Sequence, residues 1–500
     1  MISEYAWMHG AVCTALFLLC FLLLRSRRWW YLAAGLYLVN IMLVLAYVVI
    51  GRMTGTGFNE AALYYILAGS WKDVALLWAY AEVRYGVPIL LVLLWLFIWG
   101  VRTVRLPALM PASVLTQGLL VLCTAGFGLY MTPLTADVLH VMRVAGIDKE
   151  DRIGLQDIVD RIDVPEPVDG PKKNLILVYA ESMEQPLFDE ALFPGLLPRL
   201  NRLAGQGMRF DRIDQSPMSN WTIAGMIATQ CGVPLSSHRI RNEYNDFGKF
   251  SSGYQCLSNH LARQGYTRVY MGGASLGFAG KGDFYRSMGF DEVLGLEELA
   301  RPESPLSKWG LYDDELLPLV QKKLETLRAG SDGKPFALVM LTLDSHPPSG
   351  FASPSCERLG LIYGDGLSAH MNAIRCTDEL LGEFMERVIR ENIHDSTVVM
   401  LSDHVMMGSE VKDALVAKNA VQRNHMVIWD KDLAPGVVRR PGSQFDVGPT
   451  VLHALLGKSW QVGFGTSLMD HARSNLTERY GAAVIEESLY AWRTESWQRW

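Results

Sequence analysis

The sequence predicts an α/β protein in two parts, an N-terminal bundle of about four transmembrane helices and a following α/β domain with a mostly parallel central sheet. Two observations lead to this fold class. The first third of the chain contains four apolar runs, each bounded by charged residues. From residue 174 onward the pattern changes, and short apolar strands alternate with helical stretches, as parallel sheets require.

Length and charge set the first limits on function. The chain has 500 residues, a formal net charge of −6 and 50% hydrophobic residues. This length favours more than one structural unit. The sequence has no block of lysines and arginines and no stripe of basic and aromatic residues, which are the usual features of nucleic-acid-binding proteins. We therefore expect no nucleic-acid partner.

The apolar runs of the first third approach the length needed to cross a lipid bilayer. Tryptophans and tyrosines flank several of them, as at Trp29-Trp30-Tyr31, which is typical of membrane interfaces. A buried soluble helix bundle is the alternative, and four successive runs bounded by charge argue against it. The first run is not a cleaved signal peptide, because Glu4 but no lysine or arginine precedes it. The runs are residues 9–24, 31–50, 87–101 and 112–131.

Positive charges predict the orientation of these segments. Arg25, Arg27 and Arg28 lie between the first two runs, and Arg102 and Arg105 lie between the last two. Because cytoplasmic loops are rich in lysine and arginine, both loops are expected in the cytoplasm and the remainder outside it. The predicted domains are a transmembrane domain (1–131), a polar, proline-rich juxtamembrane connector (132–173) and an extracytoplasmic domain (174–500).

Four cysteines fall in the polar part of the chain, where an oxidising compartment would allow disulfides. No C-x₂-C spacing occurs among them, so they do not form a zinc site of the usual kind. Of the three possible pairings we predict the one that is local in sequence. It joins Cys231 to Cys256 and Cys356 to Cys376.

The α/β domain begins with Asn174–Ala180, a continuous apolar segment of the kind that is buried on both faces of a parallel sheet. Further strands and helices follow in alternation. The predicted strands are 174–180, 267–271, 336–343, 396–401 and 426–429. The predicted helices are 198–206, 257–264, 316–328, 371–390 and 447–456.

Side chains that suit a metal ion follow three of these strands. Ligands of open α/β sheets bind beyond the carboxyl ends of the strands, so these side chains are expected at one edge. Two carboxylates and an imidazole form a ligand set for Mn²⁺, Mg²⁺ or Zn²⁺. Each residue also has a simpler explanation: a surface charge for Glu181, a helix cap for Asp403, a hydrogen-bonded histidine for His346. The segments are Glu181-Ser182, Asp344-Ser345-His346-Pro347 and Ser402-Asp403-His404, and His425 stands just before the strand 426–429.

A candidate nucleophile lies in the segment 219–226, a polar loop that runs into an apolar, small-residue helix. Thr222 is predicted in the first turn of that helix, where backbone N–H groups favour negative charge. A hydroxyl there is well placed to attack phosphorus, with a metal ion lowering its pKa. The alternative is that Thr222 or Ser219 is only an N-cap of the helix.

These residues together resemble a known family. The matching segments are Tyr179-x-Glu181-Ser182, the run from Thr222 to Leu235, Asp344-Ser345-His346-Pro347 and Ser402-Asp403-His404. They are similar to the phosphoglycerol transferase I family, which belongs to the lipoteichoic acid synthase-like group of the alkaline phosphatase/sulfatase superfamily. The resemblance is close over 174–470 and loose over the membrane segments.

The resemblance implies roles for individual residues. Thr222 matches the catalytic nucleophile, and Glu181, Thr222, Asp403 and His404 match the ligands of one divalent metal ion. That ion is usually Mn²⁺ in this group, with Mg²⁺ and Zn²⁺ as alternatives. His346 matches a histidine that contacts the phosphoglycerol head group or assists proton transfer.

Substrate recognition and function follow from the same resemblance. Lys281 falls where related enzymes carry a phosphate-binding arginine. Apart from the resemblance, a phosphoethanolamine site would need a carboxylate or an aromatic face for the ammonium, and Asp283 is a candidate carboxylate. The implied enzyme lies in a bacterial inner membrane as a multi-pass protein with its catalytic domain in the periplasm. It transfers phosphoglycerol from phosphatidylglycerol to a periplasmic glucan (membrane-derived oligosaccharide) through a phosphoglyceryl-threonine, and releases diacylglycerol. The alternatives are transfer of phosphoethanolamine, polymerisation of glycerol phosphate, and a non-catalytic membrane sensor or scaffold that retains the fold.

Overall fold

The chain forms two compact units, Met1–Ile147 and Asp148–Trp500. A computed structural model describes residues 2–24, 27–54, 113–130, 168–170, 172–235, 255–330 and 333–481, with isolated positions between 84 and 95 and between 484 and 489. The predicted third apolar run (87–101) and connector (132–173) lie mostly outside the described residues.

Three helices of the N-terminal unit are described: α1 (Ile2–Leu23), α2 (Arg27–Thr54) and α3 (Val114–Tyr130). They pack on one another through small and apolar side chains. Large apolar side chains also stand exposed on all three helices, among them Leu18, Met42 and Leu122. Apolar residues on the packed face and on the outer face alike suit a lipid environment better than water.

The expectation of about four transmembrane helices is not confirmed. Among the described helices, the segment Arg28–Ile50 is long and apolar enough to cross a membrane. Two further apolar helical segments, Gly10–Cys20 and Thr116–Gly128, are shorter than a full span. The charged loops between the runs fall largely outside the described residues, so the orientation stays a prediction.

The second unit is built on one mixed sheet of nine strands, in the order β4-β3-β5-β1-β6-β7-β2-β8, with β9 beside β2. All neighbouring strands run parallel except β7, which is antiparallel to both β6 and β2. The predicted mostly parallel sheet is therefore confirmed. The strands are β1 (Asn174–Ala180), β2 (Met208–Asp214), β3 (Thr267–Gly272), β4 (Glu292–Leu294), β5 (Phe336–Leu341), β6 (Ser396–Ser402), β7 (Asn424–Trp429), β8 (Gly436–Val438) and β9 (Gly442–Ser443).

Helices cover both faces of this sheet. The helices are α4 (Pro198–Ala204), α5 (Thr222–Cys231), α6 (Leu257–Arg263), α7 (Lys281–Ser287), α8 (Leu296–Leu299), α9 (Asp313–Ala329), α10 (Pro354–Arg358), α11 (Ala369–Asn392), α12 (Glu410–Ala417), α13 (Val447–Leu456) and α14 (Leu476–Tyr480).

The two faces of the sheet pack on different helices, because alternate residues of a strand face opposite sides. On one face, Ile176 and Val178 of β1 belong to a large apolar core that also contains side chains of α4, α9, α11 and α12. On the other face, the Tyr179 hydroxyl lies 2.7 Å from Thr229 Oγ1 of α5.

Both predicted disulfides are confirmed. Cys231, the last residue of α5, is bonded to Cys256 immediately before α6. Cys356 in α10 is bonded to Cys376 in α11. The four half-cystines are buried, and the pairs fasten the segments that follow Thr222 and His346.

Removing the second disulfide should destabilise the α/β unit. The variant C356S/C376S frees a loop with a sequence separation of 20 residues, and such a loop corresponds to about 3 kcal/mol of lost stability. Thermal unfolding of the purified chain measures the change. Cys123→Ser, which alters an exposed free cysteine, is the control. An unfolding temperature equal to that of the wild type would contradict the expectation.

Candidate active site

The site is assembled at the carboxyl ends of three adjacent strands. β1 lies between β5 and β6 and runs parallel to both. Ala180 of β1 is in register with Ser402 of β6, so the next residues, Glu181 and Asp403, emerge side by side. The chain after β5 reaches the same edge with His346. The fold thereby brings together the strand-end residues that the sequence suggested, as open parallel sheets do.

Glu181, Asp403 and His404 form a compact buried cluster. His404 Nε2 lies 3.4 Å from Glu181 Oε1 and 3.2 Å from Asp403 Oδ2. One ligand atom from each residue lies within 4.8 Å of the other two. Ser182 supports both carboxylates, since its hydroxyl donates to Glu181 Oε1 and its N–H donates to Asp403 Oδ1. Two carboxylate oxygens and one imidazole nitrogen therefore converge on one point.

The protonation pattern of this cluster fits a cation. His404 Nδ1 lies 2.7 Å from the carbonyl oxygen of Val405, so Nδ1 carries a hydrogen and Nε2 is the ring nitrogen that faces the carboxylates. Asp403 Oδ2 and His404 Nε2 are buried without a hydrogen-bond partner among the described residues. Burial, together with the charge of Glu181, raises the pKa of Asp403 to about 7. A divalent cation bound between these oxygens and Nε2 would satisfy the unpartnered atoms and the charge.

Thr222 lies directly beside the cluster. It is the first residue of α5, is 7% exposed, and its Oγ1 lies 3.4 Å from Glu181 Oε2. The N-cap of α5 is Trp221, and no side chain caps it. Ser219 is also not the cap, because its oxygen accepts from Gln215 Nε2, and its one hydrogen is directed to the carbonyl of Ser216 or to Gln444 Oε1. The alternative that Thr222 or Ser219 serves as the N-cap is therefore not what the structure shows.

The backbone of α5 touches the strand end that carries Asp403. A Cβ atom on Gly225 would lie 2.1 Å from the carbonyl oxygen of Asp403, far inside contact distance. Only glycine permits this approach. The close contact holds the first turn of α5, and with it Thr222, against Asp403 and His404.

Two glutamines that sequence reasoning missed hold this arrangement. Gln444 Oε1 accepts hydrogen bonds from Gln215 Nε2 at 2.7 Å, from Ser216 N at 3.0 Å and from the hydroxyl of Ser219. Its Nε2 donates to the carbonyl of Asp403 at 2.8 Å. Gln215 Oε1 in turn accepts from the N–H of Val405. The loop before Thr222 and the segment that carries Asp403 and His404 are thus joined through the buried amide of Gln444.

His346 has a defined tautomer. Its Nδ1 lies 2.6 Å from the carbonyl oxygen of Pro347, which can only accept, so Nδ1 carries the hydrogen and Nε2 keeps a lone pair. Burial lowers the pKa of His346, which is 5% exposed. The turn is fastened because the Ser345 hydroxyl donates to the carbonyl of Glu181 and His370 Nε2 donates to the carbonyl of Ser345. His346 is a neutral imidazole in a fixed position.

A buried aspartate pair anchors the same turn. Asp313 Oδ1 accepts from the N–H of Leu343 and Asp313 Oδ2 from the N–H of Asp344, while Asp344 Oδ1 accepts from the N–H of Asp313. Burial and the mutual repulsion of the two carboxylates raise the pKa of Asp344. Asp344, which the sequence placed in the strand-end motif, therefore acts on the backbone of the turn.

The predicted substrate residues occupy different environments. Lys281, the first residue of α7, is 3% exposed, and its Nζ lies 4.8 Å from the centre of the Phe278 ring. Burial lowers the pKa of Lys281 to about 8, although the charges of Glu181 and Asp403 act in the opposite direction. Asp283 is exposed and lies 3.7 Å from Arg286. Lys281 is therefore buried where the negative charges of Glu181 and Asp403 act on it, whereas Asp283 lies at the surface beside Arg286.

His425 differs in position from the sequence expectation. It lies inside β7 rather than before it, because that strand begins at Asn424. Its ring is stacked on Phe188 at 3.7 Å, and burial lowers its pKa to about 3. His425 is not among the three residues of the metal-ligand cluster.

Two family models match the two parts of the chain. Residues 173–458 match the family model described as Sulfatase, and residues 8–149 match the model described as Phosphoglycerol transferase I, N-terminal domain. A phosphoglycerol transferase I of Xanthomonas campestris pv. campestris (strain B100) is 32% identical over 477 residues, which cover 92% of this chain and 65% of the relative. The chain thus spans about two thirds of that relative's length.

Solved structures share the architecture at low sequence identity. An alkaline phosphatase superfamily protein from Vibrio parahaemolyticus aligns with a TM-score of 0.55 and 18% identity, covering 71% of this chain and 97% of that one. The lipoteichoic acid synthase LtaP from Listeria monocytogenes aligns with a TM-score of 0.52 and 17% identity, covering 69% and 97%. At this identity the likeness establishes the fold alone.

The buried amide network gives a stability prediction. Gln444→Leu leaves the N–H of Ser216 and the carbonyl of Asp403 without their bonds to this amide in the interior, so the unfolding free energy should fall by about 3 kcal/mol. Chemical denaturation of the purified chain measures it. In the control Gln321→Leu, the lost bonds go to Glu325 and Glu391 on helix surfaces, and the change should stay below about 1 kcal/mol. Equal losses in the two variants would contradict the role given to Gln444.

Proposed function

The chain belongs to the sulfatase family, and on that premise we propose that its α/β unit transfers phosphoglycerol from phosphatidylglycerol to a glucan hydroxyl through a covalent bond to Thr222. One observation carries the proposal: the Thr222 hydroxyl lies 3.4 Å from Glu181 within a buried cluster of Glu181, Asp403 and His404. The similarity to phosphoglycerol transferase I over 92% of the chain supports the choice of transferred group.

In the first step the Thr222 oxygen forms a bond to phosphorus, and the bond from phosphorus to the diacylglycerol oxygen breaks. Thr222 gives up its proton to solvent water and the diacylglycerol oxygen takes one proton from solvent water, so the step is balanced. Glu181 orients the hydroxyl, and the N-terminus of α5 favours the negative charge that develops there. Gly225 and Gln444 hold α5 against Asp403, which keeps the nucleophile in place.

Glu181, Asp403, His404 and the Thr222 oxygen would hold one divalent metal ion, for which Mn²⁺ is the first choice and Mg²⁺ and Zn²⁺ are alternatives. Such an ion supplies Lewis-acid stabilisation of negative charge on oxygen. The unpartnered Asp403 Oδ2 and His404 Nε2 support this assignment.

In the second step an acceptor hydroxyl forms a bond to phosphorus, and the bond from phosphorus to the Thr222 oxygen breaks. His346 is suited to take the acceptor proton, because its Nε2 lone pair is fixed and burial keeps the ring neutral. Thr222 regains a proton, so the cycle closes without a net change. Lys281 supplies positive charge for the phosphate, as a buried ammonium rather than a guanidinium fork.

We assign the chain to the bacterial inner membrane as a multi-pass protein with its α/β unit in the periplasm. The apolar helix Arg28–Ile50, the arginine-rich loops and the two disulfides support this placement. Phosphatidylglycerol is favoured over phosphatidylethanolamine because Asp283, the carboxylate considered for an ammonium, lies 3.7 Å from Arg286. The partners are then phosphatidylglycerol, a periplasmic glucan and the bilayer.

Replacing the nucleophile tests the covalent step. With phosphatidylglycerol in detergent and no acceptor, the wild-type chain should gain the mass of one phosphoglycerol group on Thr222 and release diacylglycerol. Thr222→Ala should show neither product and an unchanged unfolding temperature, and Thr222→Ser should retain the adduct. Intact-protein and peptide mass spectrometry measure the result. An adduct in Thr222→Ala would refute the nucleophile, and a preference for phosphatidylethanolamine would refute the head group alone.

The metal assignment is tested by elemental analysis. Asp403→Ala and His404→Ala each remove one of the converging ligands, so the bound divalent ion should fall from about one per chain to less than about one tenth. His394→Ala, which alters an exposed histidine, should keep full occupancy. Full occupancy in either ligand variant would count against the site.

A further inference from the structure

A partly exposed tryptophan stands beside His346, the histidine to which the proposed mechanism gives the role of base. Trp309 is half-buried, and its ring centre lies 4.1 Å from that of His346. Phe278, also half-buried, lies 5.7 Å from Trp309 and 4.8 Å from Lys281 Nζ. We call Phe278 and Trp309 the aromatic wall. It connects His346 and Lys281, the two residues to which the proposed mechanism gives roles at the phosphoryl group.

The turn that carries Trp309 is held rigidly. Ser307 Oγ accepts hydrogen bonds from the N–H groups of Trp309 and Gly310, each at 3.2 Å, and the N–H of Ser307 donates to the carbonyl of Gly310. Gly310 has a φ of 144°, and a Cβ there would lie 2.2 Å from the carbonyl oxygen of Gly273. The turn is thus locked onto the loop after β3, which precedes Phe278. An aromatic ring fixed in this way binds a ligand with little loss of side-chain freedom.

The position of the wall indicates which substrate it meets. His346 Nε2 must come within about 2.6–3.2 Å of the hydroxyl whose proton it takes. Because Trp309 packs on the ring of His346, the group that bears this hydroxyl lies against or next to the indole. A sugar ring has an apolar C–H face and polar edges, which suits contact with an indole face while one edge hydroxyl reaches His346.

We propose that the aromatic wall is the acceptor subsite, with Trp309 packing against the C–H face of a hexopyranose unit whose hydroxyl is presented to His346 Nε2. This inference rests on the proposed function. The diacylglycerol oxygen leaves from the same side of phosphorus that the acceptor later enters, opposite Thr222, so the donor also passes this place. Its flexible glycerol backbone has no flat ring, however, and gains little from Trp309.

The experiment separates the two half-reactions in the full chain. The first is adduct formation on Thr222 from phosphatidylglycerol without acceptor. The second is transfer from that adduct to a β-linked glucose heptasaccharide or to glycerol, which offers a hydroxyl without a ring. Trp309→Ala should lower kcat/KM for the heptasaccharide about 30-fold, mainly through KM. Adduct formation and transfer to glycerol should change by less than about threefold.

Two further variants complete the design. Trp309→Phe should recover part of the heptasaccharide KM, because it restores an aromatic face. Tyr480→Ala, which removes an exposed aromatic ring from α14, should leave every rate unchanged. The proposal is supported if Trp309→Ala raises the KM for the heptasaccharide, Trp309→Phe partly reverses that change, and neither variant alters adduct formation or transfer to glycerol.

Other outcomes overturn it. If Trp309→Ala slows adduct formation as strongly as transfer, the indole serves the donor or positions His346. If the heptasaccharide KM is unchanged, the acceptor binds elsewhere. A wild-type chain that forms no Thr222 adduct refutes the proposed function itself, and the inference with it. Normal adduct formation with an unchanged heptasaccharide KM refutes the acceptor subsite alone.

Discussion

The structure of the site depends on the free-energy cost of burying two carboxylates and an imidazole next to one another. Asp403 Oδ2 and His404 Nε2 lie 3.2 Å apart, and neither has a hydrogen-bond partner among the described residues. Glu181 places a carboxylate oxygen within 4.8 Å of both residues' ligand atoms. Buried acceptors that face one another repel unless a proton or a cation lies between them. The raised pKa values of Asp403 and His404 express this demand for positive charge. The parallel sheet brings the two carboxylates together, because β1 and β6 end in register and Glu181 and Asp403 are the next residues.

The position of Thr222, the proposed nucleophile, depends on a second constraint, which is close contact between backbones. α5 reaches Asp403 only because Gly225 has no side chain, and Gln444 closes the remaining gap with hydrogen bonds to both sides. Thr222 is therefore placed by its helix rather than by its own side chain. Every residue of α5 is buried, so packing on all sides holds the helix against the strand end. This explains how a hydroxyl can keep a fixed distance from a metal-ligand cluster to which it is linked only weakly.

Much of the fold could be predicted because the central strands are continuous apolar segments. β1, β5 and β6 are buried on both faces, and their continuous apolar sequences predict this burial. The residues that follow them lie at one edge of the sheet because the three strands are parallel neighbours. β2 was missed because charged residues interrupt its apolar pattern, as in a half-exposed strand next to the sheet edge. Gln444 and Trp309 left no signal, since Gln444 meets Ser219 across 225 residues of chain and the contact of Trp309 with His346 comes only from tertiary packing. Contacts of this kind follow no local spacing rule.

The charges of the site bear on the head group it would accept. Glu181 and Asp403 together contribute two negative charges when ionised, Lys281 one positive charge, and the two histidines remain neutral when Nε2 acts as ligand or base. A bound divalent cation would leave the site with a single positive charge, which a phosphodiester monoanion neutralises. Phosphatidylglycerol carries only that charge, whereas phosphatidylethanolamine adds an ammonium. In a buried site an uncompensated charge is costly, and the carboxylate considered for an ammonium, Asp283, lies 3.7 Å from Arg286. This charge balance supports the proposed phosphoglycerol head group.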